Sequence, residues 1–464
     1  MNLTATKIIP QALAQHVLVV FILLALGLGY QSLSDLDLGW HLASGLWIIK
    51  HKQVPWADPF SISVTPWIDY SWLFDLLIAS VYSLAGFKGL IAAQALLPAI
   101  LVALVYQAFN RVAHSRFLVL LGLAILATYG VWSLRPQMLS LIFFVIALRY
   151  ANSHSKHSLL ILSILTIVAA NIHVFWVFIP LLWLLKEEGS LKQRTLGSFS
   201  LVLCSLVNPY GYKLWEVIFN YATAHTNAYL MIHEFAPIYE SSGLALCLFA
   251  LFTLALAFTF RRLSSFRRVL LLIFFAGSFV RVKILPFYAI LAALTLLGKL
   301  ASEEVDRKEL RVDTKGLSYL IGFKVLLTLN LFITIISTPL LSDRAQSILS
   351  LWGKVHTLSH SNVISHFNDS GWLILAEYLR SMPDDPLLRI VLDGRTLVTG
   401  EEKLQEAAEL NADPRRILEF AEKYHVDYAL FPRQTFVSKI LLKNGWHLLL
   451  ESDNYLVLSK DFGH

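Results

Sequence analysis

Up to about residue 340, the chain alternates between long apolar runs and short polar loops. The candidate membrane spans are residues 12–30, 89–109, 117–132, 137–150, 159–172, 174–186, 195–207, 244–260, 269–281, 285–298 and 317–338. A helix needs about 20 residues to cross a bilayer, so the shorter runs are expected to extend into neighbouring polar residues. The pattern predicts a mainly α fold, a polytopic membrane helical bundle of about eleven spans.

The pattern changes near Ser342, where charged residues begin to separate short apolar runs. The expected elements are a strand over Leu388–Leu392, a turn at Asp393-Gly394-Arg395, a helix from Asp413-Pro414 to about Tyr424, a strand over Tyr428–Phe431, and a hairpin of Trp446–Glu451 with Tyr455–Ser459. We therefore predict two domains, a transmembrane domain over residues 1–341 and a small extracytoplasmic α/β domain over residues 342–464.

Basic residues recur in the loop after every second span. They are Arg111 and Arg116, then Lys156, then Lys186, Lys192 and Arg194, then Arg261, Arg262, Arg267 and Arg268, and then the segment Lys299 to Lys315. The positive-inside rule places these loops in the cytoplasm. The N-terminus is then cytoplasmic and the C-terminal domain extracytoplasmic.

The segment from Trp72 to Ala85 is apolar enough to resemble a further span. Counting it as one would move every later basic loop to the outer face, against the positive-inside rule. Asp75 interrupts its apolar character, and aromatic residues can anchor it at the membrane surface. We therefore predict an interfacial helix in the first outer loop, with a full span as the alternative.

This topology gathers several polar segments on the outer face. They are the long first loop Gln31–Ser71, the corner Arg135-Pro136-Gln137, Asn171-Ile172-His173, residues 208–243, and Arg281-Val282-Lys283. Polar groups at a membrane boundary are costly unless they are solvated, paired or used. One extracytoplasmic site built from several loops is the resulting prediction.

Composition and charge narrow the class of protein. The chain is 56% hydrophobic and 15% charged, with a mean hydropathy of +0.61, which favours a membrane protein over a soluble one. Its net charge of +6 comes from loops rather than from basic patches interleaved with aromatic residues, so we expect no nucleic-acid partner. Both cysteines, Cys204 and Cys247, lie inside apolar runs, so no disulfide is expected in the C-terminal domain.

The acidic motif after the first span is the main candidate for chemistry. Asp35 and Asp37 would point to the same side of an extended segment, and His41 follows one helical turn after Asp37. A carboxylate at this boundary can act as a general base on an acceptor hydroxyl. Alternatively, Asp35, Asp37 and His41 can together bind a divalent cation. The alternative is that Asp35 or Asp37 only caps an interfacial helix from about Trp40 to Lys50.

Positive charge on the same face predicts a site for a donor phosphate. Its candidates are Arg135, Arg281 and Lys283, with His173 at a similar depth. Arginine can bind phosphate oxygens in bidentate geometry. Snorkelling to the interface is the alternative for Arg281 and Lys283, whereas Arg135 sits in a tight proline corner.

Further candidate substrate contacts lie in loops. They are His41, Asp58, Asp69, Asn208, Tyr210, His233 and Glu234. The favoured interpretation is a turn, ahead of a substrate contact, for Asp58-Pro59, Asp69-Tyr70 and Asn208-Pro209-Tyr210-Gly211. For His233-Glu234, an exposed pair in a loop is favoured over a substrate contact.

Several of these motifs together resemble a known family. Asp35-Leu36-Asp37 with Gly39-Trp40-His41, then Asp58-Pro59-Phe60-Ser61, then Trp72-Leu73-Phe74-Asp75, resemble the N-terminal module of GT-C integral-membrane glycosyltransferases. The likeness is greatest to the bacterial branch related to protein O-mannosyltransferases and aminoarabinose transferases. Arg135-Pro136-Gln137, Asn171-Ile172-His173, Asn208-Pro209-Tyr210-Gly211 and Asp393-Gly394-Arg395 resemble recurring motifs of a bacterial group within it.

The resemblance implies transfer of a sugar from a polyprenyl-phosphate donor to an outer-face acceptor, with inversion and a first-loop Asp at the reacting centre. Asp37 matches that acid best, and Asp35 is its competitor. The sequence departs from the protein mannosyltransferases in having Asp-x-Asp instead of their Asp-Glu pair. The resemblance also implies a multi-pass protein of the bacterial inner membrane, with membrane lipid and a polyprenyl-phosphate sugar as partners. It implies no certain cofactor, and the sequence does not identify the acceptor.

Two other classes of function compete with a glycosyltransferase. A transporter or flippase would place ionisable residues near the middle of the bilayer and often shows repeat symmetry, neither of which is visible in this sequence. A non-catalytic membrane assembly protein could keep the same scaffold. A glycosyltransferase predicts that Asp37, Arg135 and Arg281 open to one compartment.

Overall fold

The computed structural model describes residues 7–8, 11–63, 66–109, 115–223, 235–302, 308–309, 314–355, 361–381 and 388–460. It divides the chain into two compact units. The first, called the helical unit here, comprises Met1–Gln31, Ile91–Gly211 and Ile232–Thr338. The second, called the mixed unit, comprises Ser32–Leu90, Tyr212–Met231 and Pro339–His464.

Helices make up most of the described chain. They are α1 (Gln11–Gly29), α2 (Leu38–His51), α3 (Trp72–Phe109), α4 (Ser115–Thr128), α5 (Pro136–Ala151), α6 (Ser158–Ala170), α7 (Phe178–Leu184), α8 (Leu191–Cys204), α9 (Lys213–Thr223), α10 (Gly243–Ala257), α11 (Ser265–Val280), α12 (Leu285–Ser302), α13 (Thr314–Ser337), α14 (Asp343–Trp352), α15 (Ser370–Ser381), α16 (Thr396–Ala412), α17 (Ile417–Lys423) and α18 (Phe436–Lys443). The strands are β1 (Lys7–Ile8), β2 (Lys308–Glu309), β3 (Ser361–Ser365), β4 (Leu388–Ile390), β5 (Val426–Pro432), β6 (His447–Glu451) and β7 (Tyr455–Ser459).

Each predicted apolar run overlaps a helix, which agrees with the mainly α prediction. Within the described ranges, α3 alone is long and apolar enough, by length and composition, to cross a membrane; eight further apolar helices have 10–17 residues. The count of about eleven spans is therefore not confirmed and stays a prediction.

α3 is interrupted at Gly86, where φ is +60° and ψ is −154°. Glycine tolerates this left-handed φ because it has no Cβ. The break separates Trp72–Ala85 from the apolar run that follows, as the sequence pattern does. Whether the first segment lies at the membrane surface stays a prediction.

Aromatic side chains fill the centre of the helical unit. Phe287 of α12 lies between Phe144 and Phe175, with ring centroids 5.1 and 5.0 Å away, and Phe178 contacts Phe274 at 4.8 Å. The rings pack mostly edge to face, which the aromatic quadrupole favours. His173 lies two residues before Phe175 and its ring contacts the Phe175 ring, so the packed cluster restricts the position of His173.

The mixed unit contains a five-stranded sheet in the order β4-β3-β5-β7-β6. β3 is parallel to both β4 and β5, while β7 is antiparallel to β5 and β6. The predicted strand before Asp393, the strand within β5 and the closing hairpin are all present. β3, α14, α15, α16 and α18 were not predicted from the sequence.

The loop that follows α1 belongs, from Ser32 onward, to the same unit as the C-terminal segment. Leu33 N donates to Leu340 O (3.0 Å), and Ser342 N donates to Leu33 O (3.1 Å). Ile62 and Ile390 join the loop to β4, since Ile62 N donates to Ile390 O at 3.1 Å. These hydrogen bonds join segments on both sides of the predicted domain boundary at 341/342, which stays a prediction.

Two glycines allow α2 to pack closely on α15. A Cβ at Gly39 would come within 2.2 Å of Gly371 O, and a Cβ at Gly371 within 2.2 Å of Leu36 O. Leu36 immediately precedes Asp37, so this contact fixes the backbone that carries the acidic motif.

Gly371→Ala should destabilise the protein by about 1–3 kcal/mol, because the new methyl group meets a backbone carbonyl that no rotamer change can move. Thermal unfolding in detergent measures the effect. The matched control is Gly122→Ala in α4, where a Cβ has nothing within 4 Å. Equal melting of Gly371→Ala and wild type would contradict the close contact.

Candidate functional site

The acidic motif forms a tight turn that leads into α2. Asp35 Oδ1 accepts the N–H of Asp37 at 3.0 Å, and Asp37 O accepts the N–H of His41 at 3.1 Å. Asp37 occupies the N-cap position, but its carboxylate accepts no capping hydrogen bond from the helix backbone. Asp37 Oδ1 instead accepts from Trp40 Nε1 at 3.2 Å. Simple side-chain capping, the alternative left by the sequence, therefore does not explain this carboxylate.

The two acids differ in exposure. Asp35 is 8% exposed, whereas Asp37 is only partly buried. Asp35 orients the Asp37 backbone, and Asp37 is the more accessible carboxylate. This difference favours Asp37 over Asp35 as the group that could meet a substrate.

His41 is buried and paired with Asp75, with 2.5 Å between Nδ1 and Oδ1. Its ring also stacks on Trp40, with centroids 3.5 Å apart. These contacts place His41 inside the mixed unit against Trp40, and its role as a substrate contact stays a prediction. Asp75 was expected only to interrupt the apolar character of its helix. A carboxylate in such a helix indicates a buried partner, which is His41.

Asp69 is also satisfied inside the mixed unit. Ser44 Oγ donates to Asp69 Oδ2 at 2.9 Å, and Ser71 N and Oγ each donate to Oδ1 at 3.2 Å. The Ser71 N–H bond is the turn that the sequence predicts. Burial, and next the Asp75 carboxylate, raise the pKa of Asp69 well above 3.8, and the serine hydrogen bonds only partly offset them.

Asp69→Asn should change how stability depends on pH. Because the folded protein raises the pKa of Asp69, wild-type stability falls as pH rises from about 3.8 through the folded value, and Asn removes this loss. The melting temperature of the variant relative to wild type should therefore rise with pH. Asp413→Asn is a control of opposite sign, because Arg415 lowers the pKa of Asp413. A difference between Asp69→Asn and wild type that does not vary with pH would contradict the raised pKa.

Asp58 takes part in a buried ion triad. Its two oxygens accept from Arg395 Nη1 and Nη2 at 2.8 and 2.9 Å, and Arg395 Nε lies 2.9 Å from Asp393 Oδ2. The three side chains are at most 3% exposed. Burial raises the pKa of Asp393 against the opposing effect of Arg395, while the two carboxylates raise the pKa of Arg395 against burial. The Asp58 carboxylate is thus used within the protein.

The candidate phosphate site of the helical unit is built on two phenylalanines. Lys283 Nζ lies 3.6 Å from the Phe235 ring centroid, and the Arg281 guanidinium lies 5.1 Å from it. Lys283 also lies 5.8 Å from the centroid of Phe175, whose ring contacts His173 at 4.6 Å. The structure therefore brings three of the four predicted residues together.

Arg135 is tied to this cluster through α5. Arg135 directly precedes Pro136, the first residue of the helix, and Gln137 Nε2 donates to Lys283 O at 3.0 Å. Ser140, one turn further along α5, lies 3.0 Å from His173 Nδ1. The N-terminal part of α5 thus contacts both Lys283 and His173.

The remaining candidates in the helical unit have turn geometry or are not described. Asn208 Oδ1 accepts the N–H of Tyr210 at 2.8 Å, while its Nδ2 donates to Ser205 O and Gly211 O. Tyr210 is 4% exposed. His233 and Glu234 lie outside the described residues.

No group of three or more His, Cys, Asp or Glu side chains in the described segments is arranged to hold a metal ion. His41 Nδ1 is already engaged by Asp75. A divalent cation at Asp35, Asp37 and His41 stays a prediction.

The candidate residues thus form two groups, each described within its own unit. The mixed unit holds Asp35, Asp37, His41, Asp58 and Asp69, and the helical unit holds Arg135, His173, Asn208, Tyr210, Arg281 and Lys283. Sequence reasoning missed Trp40 and Ser44 as hydrogen-bond donors to carboxylates. Arg395 was visible only as part of a turn, and its charge was the unused signal.

No protein-family model and no curated protein matches the sequence. Solved structures do match it. The apo oligosaccharyltransferase of Archaeoglobus fulgidus aligns over 91% of this chain and 70% of its own, with 10% identity and a TM-score of 0.50. ArnT from Cupriavidus metallidurans bound to undecaprenyl phosphate aligns over 97% of both chains, with 13% identity and a TM-score of 0.49.

A further match is the archaeal oligosaccharyltransferase AglB from Archaeoglobus fulgidus, in complex with an inhibitory peptide and a dolichol-phosphate. It aligns over 90% of this chain and 69% of its own, with 10% identity and a TM-score of 0.48. The fold shared with the apo oligosaccharyltransferase agrees with the resemblance seen in the sequence. At this identity the likeness shows the fold.

Proposed function

We propose that this chain is an integral membrane glycosyltransferase that moves a sugar from a polyprenyl-phosphate donor to an acceptor on the outer face of the membrane. The observation that carries the proposal is the partly buried Asp37, held by Asp35 and Trp40 at the start of α2, in a chain with an oligosaccharyltransferase fold. Two of the named neighbours hold a polyprenyl phosphate, a dolichol-phosphate in one and undecaprenyl phosphate in the other.

In the proposed reaction, Asp37 takes the proton of an acceptor hydroxyl while that oxygen attacks the anomeric carbon. The new carbon–oxygen bond forms as the bond between the sugar and the lipid phosphate breaks. Attack from the face opposite the leaving group inverts the anomeric centre. The electron pair leaves with the lipid phosphate, so negative charge develops on its oxygens.

Arg281 and Lys283, with Arg135, are the proposed partners of that phosphate. Their positive charge stabilises the leaving group as its charge grows. Phe235 restricts both Arg281 and Lys283, so less side-chain freedom is lost when an anion binds. His173, which contacts Ser140, supplies a further polar group beside Phe175.

The test uses purified protein and a panel of polyprenyl-phosphate sugars that differ in the sugar. Release of free lipid phosphate, followed by mass spectrometry, reports transfer or slow hydrolysis of the donor. We expect release with one sugar class, and weaker donor binding in Arg281→Gln and Lys283→Gln. Unchanged donors together with their movement across vesicle membranes would favour a transporter instead.

Sidedness provides a second test in whole cells. In a background with Cys204 and Cys247 replaced by serine, Ser34→Cys and Arg135→Cys should both react with a membrane-impermeant maleimide added outside. This result would also support an extracytoplasmic C-terminal segment, because Leu33 and Leu340 are hydrogen-bonded. Labelling of the two positions from opposite sides would exclude the proposed reaction.

A further inference from the structure

The sheet of the mixed unit has a point where its chain connections diverge. β3 lies between β4 and β5, and all three are parallel. The chain passes from β3 through α15 to β4 on one side, then returns through α16 and α17 to β5 on the other. In open α/β sheets, ligands bind outside the carboxyl ends of the strands at such a point.

Polar residues gather at this edge. His366 follows the last residue of β3, and Asp369 lies three residues further on. Tyr455, the first residue of β7, pairs with Pro432 at the end of β5, and its hydroxyl donates to Asp369 Oδ1 at 3.1 Å. Asp369 is 1% exposed, so its carboxylate is a fixed internal anchor.

Arg344 projects from the first turn of α14 onto this anchor. Its Nε lies 3.4 Å from Asp369 Oδ1, and its side chain is 41% exposed. The guanidinium also interacts with the Tyr455 hydroxyl, which Asp369 holds in place. A guanidinium that is oriented by an internal carboxylate and a tyrosine hydroxyl, and that is 41% exposed, has further N–H groups that suit the oxygens of a phosphate or carboxylate.

His366 adds a second donor. Its Nδ1 accepts the N–H of Asn368 at 3.2 Å, so the neutral ring carries its proton on Nε2. Burial is the main cause that lowers the pKa of His366, which Asp369 raises and Arg344 lowers further. The imidazole is therefore a neutral donor near pH 7.

We propose that Arg344 and His366 form a binding site for an oxyanion, a phosphate or carboxylate group, at the carboxyl edge of β3 and β5. The site adjoins the acidic motif, because Gly371, two residues after Asp369, packs its backbone against Leu36. The next step rests on the proposed function: the bound anion belongs to the acceptor, whose hydroxyl then faces Asp37. The acceptor class is an anionic hydroxyl compound.

Inorganic phosphate is the probe, with the full-length protein in detergent and ³¹P NMR titration as the readout. The background carries Arg135→Gln, Arg281→Gln and Lys283→Gln, because those cations are proposed to bind phosphate as well. We expect saturable binding that weakens at least tenfold in Arg344→Gln and is unchanged in Arg389→Gln, an exposed arginine on β4. Equal binding in Arg344→Gln and Arg389→Gln, or no saturable binding, would overturn the site.

Arg344→Lys keeps the positive charge but loses the paired N–H donors of the guanidinium, so it should bind phosphate with intermediate affinity. This variant replaces Arg344→Gln in the test if Arg344→Gln does not fold. Asp37→Asn should bind phosphate as the background does. Phosphate binding without any sugar transfer would therefore keep the anion site and reject only its role in the reaction.

Two further arms identify the source of the anion. Competition by phosphatidic acid in nanodiscs, but not by phosphatidylcholine, would assign a lipid acceptor. Competition by soluble glucose 6-phosphate or glucuronate would assign a soluble one. Failure of all these anions to compete would reject the acceptor role.

Discussion

Asp37→Asn is expected to reduce sugar transfer by about 10²–10⁴-fold while the protein folds normally. Asparagine has nearly the same shape as aspartate, and its Oδ1 can still accept from Trp40 Nε1. It cannot take up the proton of the acceptor hydroxyl. The loss should therefore fall on the rate of the chemical step, and donor binding should be unchanged.

The measurement is lipid-phosphate release with the donor found active, alongside thermal unfolding in detergent. Asp35→Asn is the matched control, because asparagine can still accept the N–H of Asp37, and its activity should fall less than about tenfold. Wild-type turnover in Asp37→Asn would remove Asp37 from the mechanism. A large loss in Asp35→Asn alone would make Asp35 the base.

A second companion variant separates positioning from chemistry. Trp40→Phe removes the indole N–H that binds Asp37 but keeps an aromatic ring over His41. Since that N–H favours the ionised carboxylate, its loss should move the acidic limb of the pH–rate profile to higher pH. Trp47→Phe, in the same helix and stacked on His51, should leave the profile unchanged.

Local patterns predicted the regular elements well. The apolar runs lie in helices, and the hairpin around Ser452-Asp453-Asn454 joins β6 and β7 as expected. β3 was missed because Ser361 to Ser365 is a short run with polar ends, and only its pairing with β4 and β5 makes it a strand. Pairing between distant segments has no periodic signal.

The candidate site shows the same division. The positions of Asp37 and Asp35 follow from adjacent residues, so the motif was visible in the sequence. The partners of His41 and Asp58 come from 34 and 337 residues away, so their roles were not visible. The sequence therefore identified side chains with chemical capacity, but it could not separate those that face substrate from those that hold the fold.

Arg395→Gln is expected to destabilise the protein by about 3–5 kcal/mol. The guanidinium is the partner of two buried carboxylates, Asp58 and Asp393, and glutamine cannot neutralise either charge. The Trp67 ring, whose centroid lies 4.7 Å from the guanidinium, would also lose a cation–π contact. Thermal unfolding in detergent at neutral pH measures the loss.

The control is Arg415→Gln, whose arginine is paired with Asp413 but is 83% exposed, so this replacement should leave the melting temperature close to that of wild type. If unpaired buried charge is the cause, adding Asp58→Asn and Asp393→Asn to Arg395→Gln should restore part of the stability. An unstable triple variant would instead assign the loss to packing around Trp67. Since Asp58 lies in the first loop and Arg395 follows β4, recovery in the triple variant would show that neutral contacts can hold these two segments together.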